Sequence, residues 1–483
     1  MKKAILSILL LLTVFSAAAQ VSYQVEADRK NVRINTTAVL ECDEDRNNCP
    51  VNSWKLEWTV PENAEILGIS DSIGGIEDYQ RSGNTVTIET NQGERRTSET
   101  IKIRMRIDRE AKEIADGLYT RTISLPSFSD TTTSGKIRVE DFLSADPSRG
   151  LKVGYTNETI RFKGEGAASI KVNFGTGEKQ ADYTFFGSEP GNASLAYRVA
   201  VATTGLRQSY SSIPVAVLPN QTYEEQAAEW SEGEYSAGII RIRENADNFP
   251  AVLAEETVHA FNDGKLGFDR TSSSYLDEGL AGYVQSQVRK ATTPERPQRK
   301  LFGDSVRYDR VEADRSYSRL PSKGSKEKLW NYYRQNMSFM KSWRPQSDQN
   351  REFGYAYSEL IIRNYVMRNN SIKNLYRKIG GRRLDSNVEK WKYYSGFLDL
   401  TPCKYSSRQK FENCLDKVNS YDYPVYSVKN LPEEISSEKI DVRELDFKNH
   451  TQQNDDYYRN EKLFNQGFIS SVIDYFAKLW KSL

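Results

Sequence analysis

Histidine is almost missing from this chain of 483 residues, which holds only His259 and His450. Cysteine is scarce as well, at four, and no two cysteines stand in a C-x-x-C spacing. A structural zinc site built on cysteines and histidines therefore has little support. Excess charge of either sign is also lacking, since 67 basic residues face 66 acidic ones. Bulk charge therefore draws no nucleic-acid footprint and no polyanion-binding surface. The apolar run Ala4–Phe15 falls short of the roughly 20 residues that a membrane-spanning helix needs. Internal repeats and low-complexity tracts are missing too, so a solenoid is not expected.

What the chain does have begins at its first residues. Lys2 and Lys3 precede the apolar run, and the small residues Ala17, Ala18 and Ala19 follow it before Gln20. This is the pattern of a secretory signal over residues 1–20, with a mature chain starting near Gln20. Secretion, or display outside the cytoplasm including at the cell surface, follows as the expected location. It places the cysteines where disulfides persist, and their two close pairs, Cys42 with Cys49 and Cys403 with Cys414, read as local bridges.

Short alternating apolar and polar runs such as SWKLEWTV, NTVTIET and TIKIRMRI, separated by turn residues, fill residues 21–146. They predict an immunoglobulin-like β-sandwich. A small β segment follows at 147–190. It is too short for a core of its own and is expected to lean on the next domain. Mixed α/β structure takes over in 191–400. Helices are expected at the ASLAYRVAVATTG stretch, from near Pro250, and over 276–289, 326–343, 352–367 and 372–379, with strands at IPVAVLP and AGIIRIR. The fold class is thus α+β. A mostly helical C-terminal part is expected to close the chain, with a disulfide-pinned segment, 401–450, and a polar linker with an amphipathic helix, 451–483. That helix aligns Phe468, Ile469, Val472, Ile473, Phe476, Leu479 and Trp480 on one face, for packing on the protein body or contact with a membrane surface. The polar stretch 291–325 reads as a surface excursion or a lid.

Chemistry concentrates in FPAVLAEETVHAFNDGKLGFDRTSSSYLDEGLAGYV. On a helix, Glu255 and His259 share a face four residues apart, and Glu256 lies one position round. Two ligands and a neighbouring base are what metal-assisted hydrolysis needs, and zinc peptidases meet that need with HExxH.

The stretch resembles the gluzincin peptidases, particularly their aminopeptidase-like branch. There the third ligand is a Glu in a motif like LNEGFA, nineteen residues after the second His. Here LDEGLA carries Glu278, and 278 − 259 = 19. YSAGIIRIRE is similar to the edge strand beside that active site, and GYAYSELIIRNYV to the helix whose Tyr donates to the oxyanion. The resemblance covers roughly 192–380. It implies a thermolysin-like core, a Zn2+ cofactor or another divalent metal, a peptide or protein substrate, Glu256 as general base, and His259 and Glu278 as ligands. It further implies Tyr355 as oxyanion donor and Ala237, Gly238, Ile239 and Ile240 as a substrate-binding edge strand.

Two departures stand out. Glu255 replaces the first histidine ligand, so two carboxylates and an imidazole would neutralise a dication and weaken its pull on water. Harder ions such as manganese tolerate so oxygen-rich a set. Tyr235 stands where the aminopeptidase branch has the Glu that grips a free N-terminus, which favours cleavage within a chain. The expected function is an exported metal-dependent endopeptidase. The alternative is an inactive pseudopeptidase that keeps the fold for binding at the cell surface or outside the cell.

Overall fold

The computed structural model of the chain describes residues 18–41, 52–126, 131–148, 150–156, 158–166, 168–180, 182–187, 193–208, 212–266, 274–292, 343–345, 351–369, 371–379, 387–403 and 406–421, with positions 301, 330, 340 and 423. Two compact units divide it, Met1–Glu433 and Glu434–Leu483, and the second lies outside the described residues. So do the expected terminal helix, the pair Cys42 and Cys49, His450, and nearly all of the expected 326–343 helix and the 291–325 excursion.

Fifteen strands come first: β1 (Ala18–Ala27), β2 (Asn31–Glu41), β3 (Lys55–Thr59), β4 (Ala64–Ser70), β5 (Gly75–Ile76), β6 (Tyr79–Ser82), β7 (Thr85–Glu89), β8 (Ser98–Asp108), β9 (Lys112–Ala115), β10 (Leu118–Ser124), β11 (Thr132–Val139), β12 (Phe142–Pro147), β13 (Lys152–Tyr155), β14 (Thr159–Glu165) and β15 (Ser169–Gly175). Period-two alternation sets their faces. In β2, Val32, Ile34, Thr36, Ala38 and Leu40 are buried while Arg33 and Asn35 face solvent. The inward residues of three sheets share one core, in which Trp58, Val86 and Ile88 meet Ile34, Ile103, Val172 and Phe174. One sheet has eight strands, in the order β13-β14-β11-β1-β2-β8-β4-β5, with a parallel β1–β11 pair inside it. It is larger than either sheet of an immunoglobulin sandwich.

The segment expected at 147–190 does not stand by itself. β13 and β14 extend the eight-stranded sheet, and β15 pairs between β12 and β10. The cause is size: about forty residues cannot bury a core and so complete the sheets of their neighbours.

The second part runs β16 (Glu178–Gln180), β17 (Tyr183–Gly187), α1 (Ala193–Thr204), β18 (Ile213–Leu218), α2 (Asn220–Gln226), β19 (Gly233–Ser236), β20 (Ile239–Arg243), α3 (Phe249–Leu266), α4 (Ser274–Thr292), α5 (Arg351–Asn369), α6 (Lys373–Ile379), α7 (Asn387–Ser395) and α8 (Arg408–Ser420). Its sheet has the order β16-β17-β18-β20-β19. β18, IPVAVL, is buried at every position, as a strand paired in parallel on both sides and covered on both faces must be. Helix α3 packs on α1, β19, β20 and α4, and α4 packs on α5. Gly279 permits that last approach, since a Cβ there would lie 2.5 Å from the Ser358 carbonyl oxygen. At the far end Cys403 and Cys414 form the expected disulfide, with Cα atoms 5.3 Å apart, and tie α8 to the loop before it.

The edge strand departs from expectation. Ala237 and Gly238 form the two-residue turn between β19 and β20, at φ of 52° and 80°, as such a hairpin requires. Ile239 and Ile240 lie on β20, paired on one side with β19 and fully buried. Ile240 also pairs with β18 on the other side. The edge is β19, Gly233–Ser236. The turn is pinned to the first part of the molecule: Asn173 donates to the Ala237 carbonyl at 2.7 Å, and Ser144 donates to that of Gly238 at 2.8 Å. Those bonds offset the strain of a left-handed alanine.

Candidate metal centre

Helix α3 places its side chains by simple periodicity. Pro250 stands in the first turn, where its missing N–H costs nothing, and Ala251, Val252, Leu253, Ala254, Val258 and Phe261 are buried against the sheet and neighbouring helices. Glu255 and His259 are then left one turn apart on the side facing α4. Glu278 reaches the same point from the first turns of α4. One ligand atom from each of Glu255, His259 and Glu278 can be chosen so that all lie within 4.8 Å of one another. His259 Nε2 stands 3.4 Å from Glu278 Oε2.

Around this trio lies a layer that sequence reasoning missed. Asp277 Oδ2 takes the other imidazole nitrogen of His259, Nδ1, at 2.9 Å. Asn262 donates to Asp277 Oδ1 at 2.6 Å, and the Tyr376 hydroxyl on α6 donates to Asn262 Oδ1 at 2.9 Å. Gln285 donates from Nε2 to Glu255 Oε2. A carboxylate behind a histidine fixes the ring's orientation and tautomer, which is the usual support of a metal-bound imidazole. Two of these were within reach of helical spacing: Asn262 follows His259 by three, and Gln285 follows Glu278 by seven, or two turns. Tyr376 left no such signal, because its contact crosses 114 residues of chain.

The protonation of His259 follows from its neighbours. Burial alone would pull its pKa down, but the carboxylates of Asp277 and Glu278 outweigh that and hold it well above 6.5. A group whose pKa rises on folding adds stability below its unfolded value and loses it as pH climbs through the folded value. The metal-free protein is therefore expected to lose thermal stability as pH rises above about 6.5. A cation binding Nε2 must displace that proton, so uptake at pH 7 is expected to release about one proton. Calorimetry in two buffers of different ionisation enthalpy measures it. Uptake without proton release would remove His259 from the ligand set.

Glu256, one position round the helix, is 6% exposed and turns to the sheet. Its Oε2 accepts the backbone N–H of Tyr235, on edge strand β19, at 2.5 Å. Close packing of Gly233 leaves it room: a Cβ there would come within 3.0 Å of Glu256 Cγ. The Tyr235 hydroxyl donates to Asp263 Oδ2 at 2.9 Å. From α5, Tyr355 packs edge-on against Trp343, with ring centroids 5.4 Å apart. Burial first, then the charges of Glu278, Glu255 and Glu256, hold its hydroxyl well above the ordinary 10.0, with Arg351 opposing. Tyr355 is thus a protonated O–H donor in the field of the three glutamates. Arg351, one turn before it, lies 3.7 Å from the ring centre of the half-exposed Trp230.

The arrangement brings Glu255, His259 and Glu278 together, with Tyr355 within the field of Glu278, Glu255 and Glu256. It excludes Ile239 and Ile240, whose buried strand is separated from the edge by β19.

No family model matches the chain, and no curated protein matches it in sequence. Among solved structures it is similar to the M1 zinc metallopeptidase of Deinococcus radiodurans, at 10% identity over 85% of this chain and 96% of that one, with a TM-score of 0.33. The leukotriene A4 hydrolase of Saccharomyces cerevisiae is similar at 10% identity over 85% and 68%, with a TM-score of 0.33. Legionella pneumophila aminopeptidase A, in complex with aspartic acid, is similar at 14% over 79% and 49%, with a TM-score of 0.34.

Proposed function

We propose that this chain is an exported, metal-dependent peptidase that cleaves within extended polypeptides. The observation that carries this is the convergence of Glu255, His259 and Glu278 to within 4.8 Å from two helices. The donor set suits a divalent cation. Asp277 occupies His259 Nδ1 and leaves Nε2 turned towards Glu278, while Gln285 donates to Glu255 Oε2. Zinc takes such N/O ligands, and two carboxylates also suit manganese. Bound there, the cation would supply the Lewis acidity that makes water a nucleophile at neutral pH.

The chain's own residues do the rest. Glu256 accepts the proton of the attacking water and passes it to the leaving amine. Tyr355 donates its hydroxyl to the oxyanion, a role that needs the proton its raised pKa retains. A substrate strand adding to β19 would lie along the edge whose Tyr235 amide meets Glu256, so the scissile bond and the base share one rim. At position 235 a tyrosine engaged with Asp263 offers no carboxylate to a substrate's free amine, which favours internal bonds over terminal ones.

Export is supported by the Cys403–Cys414 disulfide and by the signal-like residues 1–20. Protein recovered outside the cytoplasm should begin near Gln20 by N-terminal sequencing, and an intact Met1 would argue against it.

Metal analysis of the purified protein, with hydrolysis of a denatured protein and of an N-terminally blocked peptide, tests the activity. We expect about one divalent ion per chain and cleavage of both. A folded protein with neither metal nor cleavage would leave the binding-protein alternative standing. Cleavage of only unblocked peptides would overturn the endopeptidase reading.

A further inference from the structure

The structure assigns Gln285 as the positioning residue for an acidic ligand at 255: the glutamate that replaces histidine is matched by its surroundings and is a working part of the centre. This rests on the metal reading above. The argument is one of hydrogen-bond sign. An ionised carboxylate only accepts, whereas an imidazole whose other nitrogen binds a metal has an N–H to donate. The two ligands on α3 are served accordingly. His259 presents its Nδ1 to a carboxylate, Asp277. Glu255 receives an amide N–H, from Gln285 Nε2.

Each outer partner therefore has the polarity its ligand needs, and both lie on α4, the helix that also supplies Glu278. Gln285 follows Glu278 by seven residues, two turns along that helix, which brings it level with Glu255 one turn back from His259 on α3. Being uncharged, the amide steadies Glu255 Oε2 without neutralising it and adds no further charge to a centre that already gathers Glu255, Glu256, Asp277 and Glu278. A carboxylate at 285 would do the opposite, setting like charges against each other. Gln285 is half-buried, so its loss leaves a donor missing at a site from which water is partly excluded.

The test measures Zn2+ and Mn2+ affinity by chelator competition on full-length protein, with circular dichroism to confirm the fold. Four proteins are compared: wild type, Q285L, E255H/Q285L and E255H/Q285E. Leucine keeps the bulk and removes the donor, and the affinity should fall by roughly 10–100-fold. In the doubly substituted pair the polarity is reversed, so E255H/Q285E should bind tighter than E255H/Q285L by about the same factor. A readout of reciprocal rescue separates positioning from general packing, which would favour neither partner at 285. Should leucine unfold the protein, Q285A reads the same loss of the donor. If wild type binds metal and Q285L stays within about twofold of it, the assignment of Gln285 falls while the metal centre stands. If wild type binds neither ion, both fall together.

Discussion

Glu256→Gln is expected to lower peptide hydrolysis by about 100- to 10,000-fold, the range contributed by a well-placed general base, with the bound metal retained. The substitution is close to isosteric, and the amide oxygen can still accept the Tyr235 N–H that holds the side chain against β19. It also takes one negative charge from the three that bear on Tyr355. The loss should fall on kcat more than on KM, because the proton is transferred in the transition state and not on binding. Parallel measurement of kcat, KM and metal content on wild type and variant decides the matter. An unchanged rate with the metal still bound would show that Glu256 is no base, and a rate lost together with the metal would show that it acts on the site's integrity.

Glu255→His should act in the other direction. Two carboxylates cancel the charge of a dication, whereas one carboxylate and two imidazoles leave a net positive charge to draw electrons from the attacking water. Zinc affinity should increase. The acid limb of kcat/KM should move to lower pH by on the order of 1 unit, within the span between the water pKa of about 9 for aqueous zinc and about 7 in a histidine-rich site. The Gln285 amide can turn its oxygen to the new ring, so the variant is expected to fold, although a carboxylate at 285 would serve it better. Chelator competition and a pH–rate profile give the two readouts. Unaltered affinity together with an unaltered limb would mean that the side chain at 255 does not face the cation at all.

Much of the centre was legible in one dimension because its main features are local. Glu255 and His259 are one turn apart on a helix that starts at a proline, and nothing beyond helical geometry is needed to put them side by side. Helices α1, α3, α4 and α5 and the all-apolar strand β18 were legible for the same reason, each carrying its period within its own residues. The short helices α2 and α7 were not foreseen, since seven to nine mostly polar residues show too few turns of periodicity to separate from loop, whereas α8 falls in the C-terminal part expected to be mostly helical.

Misreadings arose where a residue's surroundings come from distant chain. YSAGIIRIRE looks like one exposed strand, yet a turn divides it, and Asn173 and Ser144 on a sheet of the first part hold that turn. Whether Ile239 is covered depends on β19 folding back beside it, which no local pattern records. The strands of 147–190 were expected to lean on the next domain; β17 does pair with β18, but β14 and β15 pair back with β11 and β12.

Helical spacing alone thus determined that Glu255 and His259 share one face of α3, because rise and turn per residue are properties of the helix itself, while Glu278 on α4 was implied by the resemblance of LDEGLA. Folding in three dimensions decided the rest: that β19 and not β20 forms the rim, that Asp277 stands behind His259, and that Gln285 stands behind Glu255. These depend on which elements pack together, and packing is settled by the burial of apolar faces over the whole chain, a sum that no short stretch contains.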